Sequence, residues 1–291
     1  MARTAIPGRL TWLVATIRET REETATARTL VLDVPGWPGH LPGQHVTVKL
    51  TAQDGYSAQR SYSIASASAA DSLELTVQRV DDGEVSSYLA GIAEPGDQFE
   101  LRGPIGGWFA WPDDDPRPLL LLAGGSGIVP LMSIIRTHEA VKSRTSVQLI
   151  YSARTPDDVI YADELSQRVR VSPLIVVTYL YTRLTRWRKT PAQVTPDSHV
   201  TTVPKHHGLF SRHPAQPPEA AEPAEAPVSP PVHGYAGRLS ADVLAKTAFP
   251  PELHPAVYAC GPSGFVEAAS GLLVAAGFPA TSIKTERFGP N

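Results

Sequence analysis

Cysteine is almost absent: the 291 residues hold one, Cys260. That excludes a disulfide framework, a four-thiolate zinc site and a cysteine-ligated iron–sulfur cluster built from these residues. Net charge is small, −3 at pH 7, which argues against a strongly basic nucleic-acid binder. Long apolar runs are missing too. Leu119–Ala123 has five residues, far short of the roughly 20 that a membrane helix needs. Met1–Arg9 has neither an apolar core nor a small-residue cleavage pattern. The expectation is a soluble cytoplasmic protein without a membrane or nucleic-acid partner. What is present is apolar material enough for real cores, 42% of residues, on a length that fits two domains. Proline is in excess: 28 residues, roughly twice its usual share of about 5%.

The first third reads as short strands separated by turn residues: Thr11–Glu19, Thr26–Val34, His45–Leu50, Arg60–Ala65, Ser72–Val80 and Gln98–Arg102. Six such strands predict an antiparallel barrel, with one helix near Val85–Ile92. The polar, turn-rich stretch Trp111–Pro118 marks a boundary, dividing the chain into 1–113 and 114–291. Beyond it strands and helices alternate, the pattern of a doubly wound parallel sheet. Strands are expected at Pro118–Ala123, Ser146–Tyr151, Leu174–Tyr179, Ala256–Cys260 and Ser282–Thr285. Helices are expected at Pro130–Val141, Tyr161–Arg170, Ser240–Ala245 and Pro262–Ala276. Lys189–His233 interrupts this domain with ten of the prolines and five of the nine histidines, and it has no apolar periodicity. It reads as a disordered insertion at about 189–233, with His206-His207 solvated and no metal site.

Four short motifs carry chemistry. In Arg60-Ser-Tyr-Ser-Ile-Ala-Ser66, alternation puts Arg60 and Tyr62 on one strand face and Ser63 on the other. Arg60 offers a cation for phosphate, Tyr62 a flat ring, and Ser63 a small hydrogen-bonding group; an ordinary barrel strand is the plain alternative. Gly83-Glu-Val-Ser-Ser-Tyr-Leu89 opens a helix, and free N–H groups of a first helical turn attract anions. By itself it is equally an ordinary capped helix. Ala123-Gly-Gly-Ser-Gly-Ile-Val-Pro130 follows a buried strand directly, so its glycines let a dinucleotide pyrophosphate approach the backbone. The other reading is a tight strand-to-helix turn. Tyr258-Ala-Cys-Gly-Pro-Ser-Gly264 repeats the strand–turn–helix plan, with Cys260 at a carboxyl strand end, where open α/β sheets bind ligands.

Taken in order along the chain, these motifs resemble the ferredoxin–NADP reductase superfamily. The resemblance covers nearly the whole chain except the proline-rich insertion. It implies FAD on the barrel and NAD(P)H on the α/β domain, with the nicotinamide meeting the flavin between them. It implies that Tyr62 lies against the flavin ring, Ser63 near its reactive nitrogen and Arg60 on the pyrophosphate. Ser66 matches FAD-binding members, and Val85, Ser86 and Ser87 would cap the pyrophosphate. Gly124, Gly125 and Gly127 would cradle NAD(P)H, with Cys260, Gly261 and Pro262 near the nicotinamide. Glu286 and Phe288 match a glutamate followed two residues later by an aromatic that stacks on the flavin. The aromatic is Phe, and Gly289, Pro290 and Asn291 follow it, which departs from the plant-type ending.

On this resemblance Ser63, Cys260 and Glu286 shape the hydride-transfer site. Arg154 and Arg183 occupy positions used for the 2′-phosphate in NADPH-preferring relatives, so NADPH is expected, with NADH as the other choice. The single cysteine leaves no cluster in these residues, so electrons would pass to a ferredoxin or other separate acceptor. A small acceptor such as free flavin or a quinone, or service as the reductase component of a multicomponent oxygenase, is the alternative.

Overall fold

The computed structural model describes residues 10–183 and 233–289. The proposed insertion and its His206-His207 pair lie outside the described residues, apart from His233.

The first sheet is six-stranded and antiparallel. It comprises β1 (Leu13–Thr24), β2 (Ala27–Asp33), β3 (His45–Thr51), β4 (Ser57–Ser63), β5 (Leu73–Gln78) and β6 (Gln98–Ile105), in spatial order β4-β3-β6-β1-β2-β5. A bridge between Ile64 and Leu75 joins the end of β4 to β5 and closes the sheet on itself. This is the expected barrel. Alternation along the strands sends Ala15, Ile17, Val46, Val48, Leu75, Val77 and Leu101 into one buried cluster. Each large aliphatic side chain there contributes about 1.5–3 kcal/mol. Helix α1 (Glu84–Gly91) packs onto the same cluster through Val85 and Leu89, four residues apart and therefore on one helical face.

The second sheet is parallel. Its strands are β7 (Leu119–Gly124), β8 (Val147–Ala153), β9 (Ile175–Tyr181), β10 (His233–Ala236), β11 (Ala256–Pro262) and β12 (Ile283–Phe288). Its helices are α2 (Ile128–Ala140), α3 (Ala162–Val171), α4 (Ala241–Thr247) and α5 (Ser263–Ala275). The spatial order is β10-β9-β8-β7-β11-β12. Every residue of β7 is buried, which explains why its sequence is an unbroken apolar run rather than an alternation. The order reverses between β7 and β11. At such a switch point the loops leave the carboxyl strand ends in opposite directions and open a crevice. Strand β10 was not foreseen; it is a four-residue edge strand paired with β9.

The two sheets are held together away from that crevice. Ser133 Oγ of α2 donates to the Ser66 carbonyl at 2.7 Å, and Thr137 Oγ1 accepts from Ser68 N–H at 3.0 Å. Arg136 of α2 reaches the Ala65 carbonyl at 2.9 Å. The Tyr161 hydroxyl, at the head of α3, donates to Thr76 of β5. This polar seam orients the barrel against the parallel sheet, so that the end of β4 faces the crevice.

Candidate active site

The crevice is built from four strand ends. On the barrel side, β3 and β4 pair so that His45 sits opposite Ser63. On the other side, β11 and β12 pair so that Cys260 sits opposite Glu286 and Pro262 opposite Phe288. The two sides meet where His45 Nδ1 lies 3.7 Å from Glu286 Oε1.

Burial sets the electrostatics here. It raises the Glu286 carboxyl to about 7. It pushes the His45 imidazole below its ordinary range. It also drives the Cys260 thiol up, with the nearby Glu286 charge adding to the effect. Of the eight buried side-chain polar atoms that have no hydrogen-bond partner among the described residues, two belong to this crevice: Ser63 Oγ and Glu286 Oε2. A buried polar atom left unpaired costs on the order of 1–3 kcal/mol, so such pairs of orphans mark places where a polar ligand or water completes the site. The polar edge of a flavin ring supplies such groups, and the residues present therefore fit one.

Further along β4, Arg60 is exposed, and among the described residues its guanidinium hydrogen-bonds only to the neighbouring Gln59 carbonyl, at 2.7 Å. Tyr62 is half-buried, and burial pushes its phenol up while Arg60 pulls weakly against it. At α1, Gly83 lets the chain pack closely, since a Cβ there would lie 2.4 Å from Ser86 Oγ. The Ser86 hydroxyl is occupied locally: it accepts from Val80 N–H and donates to the Gly83 carbonyl, each at 3.2 Å. The Ser87 N–H already donates to the Gly83 carbonyl at 2.9 Å. What α1 offers a phosphate is therefore backbone N–H of its first turn and the Ser87 hydroxyl, not the Ser86 hydroxyl. Ser66 stands apart from this group. It is buried at the seam, where its hydroxyl accepts from Glu74 N–H at 3.1 Å and its carbonyl from Ser133.

The glycines of the β7 turn divide their work in a way that spacing does not reveal. A Cβ on Gly127 would lie 2.1 Å from the Cys260 carbonyl oxygen, and one on Gly124 would lie 2.7 Å from the Phe265 ring. Both are required so that the β7 and β11 turns cross at contact distance. Gly261 belongs to the same crossing, 2.9 Å from the Gly124 carbonyl by the same measure. Gly125 differs: its φ is +54°, and nothing lies within 4 Å of the Cβ position. It alone of the three cradle glycines presents open backbone. Cys260 is fully buried within the core cluster, so its contribution to the crevice comes through its backbone and its neighbour Glu286. Phe288 packs, partly buried, against that same cluster. Arg154 and Arg183 are brought together at the ends of β8 and β9, where Arg183 N–H donates to the Arg154 carbonyl at 2.9 Å and both residues are exposed.

His45 is the site residue that sequence reasoning missed. The only signal was a histidine opening a strand after Pro42-Gly43-Gln44; its place opposite Ser63 depends on the β3–β4 register.

Two family models match the chain in succession. The one described as an oxidoreductase FAD-binding domain matches residues 15–109, and the one described as an oxidoreductase NAD-binding domain matches residues 121–205. The glycine betaine monooxygenase reductase subunit of Chromohalobacter salexigens is 29% identical over 92% of this chain and 62% of its own length. The ferredoxin reductase component of 3-ketosteroid-9-alpha-monooxygenase from Mycolicibacterium smegmatis is 35% identical over 57% of this chain and 49% of its own. The chain thus spans about three fifths or less of these curated relatives. Among solved structures, a ferredoxin NADP+ reductase from Neisseria gonorrhoeae with bound FAD and NADP superposes with a TM-score of 0.64. It covers 97% of this chain and 98% of that one at 21% identity, a likeness of fold.

Proposed function

Since the chain belongs to the ferredoxin–NADP reductase superfamily of flavin-dependent oxidoreductases, we propose that it draws electrons from NAD(P)H, by way of FAD on the barrel, and delivers them to a separate redox protein. The observation that carries this reading is the pair of buried, unpartnered polar atoms, Ser63 Oγ and Glu286 Oε2, facing one crevice from two domains. The division into 1–113 and 114–291 is part of the same proposal, one cofactor site to each unit.

FAD, when bound, would supply the redox chemistry of such a site, the coupling of a hydride donor to an electron acceptor. The chain's own residues position and tune. Arg60 and the first-turn N–H groups of α1 would hold its pyrophosphate, Tyr62 and Phe288 would offer it aromatic contact, and Ser63 would give it a hydrogen bond. Open backbone at Gly125 takes the pyrophosphate of NAD(P)H, and Arg154 with Arg183 holds the 2′-phosphate of NADPH. Holding both rings in a crevice whose two sides are tied together through the Ser133–Arg136–Thr137 seam would be the main rate device, because it replaces a bimolecular encounter with a held geometry. Glu286 and His45 supply a proton-binding pair at the same place.

Within these 291 residues a single cysteine cannot ligate an iron–sulfur cluster, so the electrons leave these residues. A ferredoxin is the acceptor we favour. The names of the two relatives favour a second destination, a multicomponent oxygenase. The test is direct. The purified chain should be yellow, retain FAD, and oxidise NAD(P)H with an artificial one-electron acceptor, and Arg60→Ala should lower FAD retention about tenfold, the loss of one charge-assisted hydrogen bond. A colourless protein that FAD does not reconstitute would sink the reading. Turnover with free flavin or a quinone but with no ferredoxin or oxygenase component would keep the flavin and overturn the acceptor.

A further inference from the structure

Tyr161, at the head of α3, has a backbone that bulky residues rarely adopt: its φ is +61° and its ψ +31°, in the left-handed region. Both of its polar donors go to the barrel. The hydroxyl donates to Thr76 Oγ1 on β5, and the N–H donates to Glu23 Oε2 on β1 at 3.3 Å. The barrel joins these two ends. Thr76 Oγ1 and Thr29 Oγ1 lie 2.7 Å apart, and the Thr29 hydroxyl donates to Glu23 Oε1 at 2.6 Å. Counting protons fixes the direction of each bond. The Thr29 proton is spent on Glu23, so Thr29 accepts from Thr76, and Thr76 accepts from Tyr161. The result is a closed ring of hydrogen bonds with two branches, both starting at Tyr161 and both ending on the Glu23 carboxylate. Tyr161, Thr76 and Thr29 are all buried, and bonds in such a network strengthen one another. The Arg136 guanidinium covers the Tyr161 ring, 5.0 Å from its centroid.

This ring connects the two sides of the crevice. On the barrel side, Leu75 beside Thr76 bridges Ile64, the residue after Ser63, and Ala65 N–H donates to the Glu74 carbonyl at 2.8 Å. On the other side, the loop from Arg154 to Tyr161 has little slack. The Thr155 N–H and hydroxyl donate to Asp158 Oδ2 at 3.0 and 2.7 Å, and Ile160 N–H donates to the Tyr151 hydroxyl at 3.2 Å. We propose that Tyr161 is a positioning residue for hydride transfer: its hydroxyl, acting through Thr76, fixes the setting of the Arg154 loop on the NAD(P)H side against the strand end that carries Ser63. The left-handed backbone lets the N–H and the hydroxyl of one residue reach the barrel together. This inference rests on the crevice being the flavin–nicotinamide site, but the ring is a property of the chain itself.

Two substitutions open the ring from opposite sides. Tyr161→Phe removes the donor and keeps the aromatic ring; Thr76→Val removes the middle hydroxyl and keeps the shape. Each is made in the full chain, singly and together. Residual dipolar couplings, recorded without added FAD, give the orientation of the barrel relative to the parallel sheet. FAD retention is measured separately, as are kcat and KM for NAD(P)H with an artificial one-electron acceptor. Each single variant should change the orientation, keep FAD, and lose about tenfold in kcat with KM within about twofold, since a small misplacement of reacting groups costs rate. The double variant should lose no more than the worse single one, because both substitutions break the same ring. An unmoved orientation or an unmoved kcat in a folded variant would overturn the proposal, as would losses that multiply in the double variant. A kcat that falls only in step with lost FAD would also overturn it, that being the signature of a merely structural residue. If Tyr161→Phe does not fold, Thr76→Val still decides. A wild type that holds no FAD, with an orientation that still moves in the variants, would uphold the ring and reject the flavin reading, so the two failures are distinguishable.

Discussion

Arg136, in the middle of α2, reaches out of the parallel-sheet domain to Glu74 on barrel strand β5, its Nη1 lying 2.8 Å from Oε2. The same guanidinium holds Glu164 of α3 through two bonds of 2.9 and 2.6 Å and the Ala65 carbonyl at 2.9 Å. One side chain thus ties together α2, α3 and the barrel at Ala65 and Glu74. Burial works against its charge, but the carboxylates of Glu164 and Glu74, together with Tyr161, outweigh it and raise its proton affinity.

Replacing Arg136 with Met would leave two carboxylates facing a seam from which their shared cation has gone. Arg21 still pairs with Glu74 and Arg168 with Glu164, which limits the damage. We expect a cost of about 3 kcal/mol, the lower end for breaking a buried pair, measured by chemical denaturation. A cost within about 0.5 kcal/mol, as for an ordinary surface change, would show that the seam does not bind the domains.

Glu286 makes stability depend on pH in an unusual sense for a carboxylate. Its ordinary value is 4.5 and its folded value about 7, so between these pH values the folded protein holds a proton that the unfolded chain has released. Stability from this group is complete below pH 4.5 and declines as pH rises through 7. The decline should approach about 3 kcal/mol, at 1.36 kcal/mol per unit. His45, shifted down, contributes the opposite slope below its ordinary range, and it is present in both proteins compared. Denaturation of wild type and Glu286→Gln at pH 5 and pH 8 should show the variant gaining on wild type at the higher pH. A difference that does not change with pH would remove the buried carboxyl from the account.

The glycine assignment separates folding from binding. Gly127→Ala would place a methyl 2.1 Å from backbone that cannot withdraw, so the protein should fail to fold or lose several kcal/mol. Gly125→Ala meets open space and costs only the left-handed backbone strain, about 1–2 kcal/mol, so it should fold. Its methyl then stands where a dinucleotide approaches, and the dissociation constant for NAD(P)H should rise about tenfold or more. Equal folding of both variants would contradict the packing role given to Gly127.

Arg154 and Arg183 lie side by side at the ends of β8 and β9. Replacing both with Ala should lower the ratio of kcat/KM for NADPH over NADH about tenfold or more, the worth of charge-assisted bonds to one phosphate. An unchanged ratio would assign the 2′-phosphate, or its absence, to other residues.

Element types were readable wherever local chemistry decided them. The unbroken Leu119–Leu122 run announced a strand buried on both faces, and it is one. Glycine-rich turns after β7 and β11 announced the crevice. Strand β10 escaped because four residues at a sheet edge carry too little pattern, and its partner β9 is more than fifty residues earlier in the chain. Ser66 and Ser86 read as ligand groups because hydroxyls in a motif look available; only packing shows that their bonds are already made.

The amino-acid order by itself determined the two-part architecture, the order of its motifs, and the absence of any thiolate chemistry beyond one residue, because strand periodicity, turn residues and cysteine number are local or countable properties. Tertiary structure alone decided that His45 faces Glu286, that Gly127 serves packing while Gly125 stays open, and that Arg136 ties α2 and α3 to the barrel. Each of these depends on register between strands or contact between sheets, where a shift of one residue reverses which side chains meet.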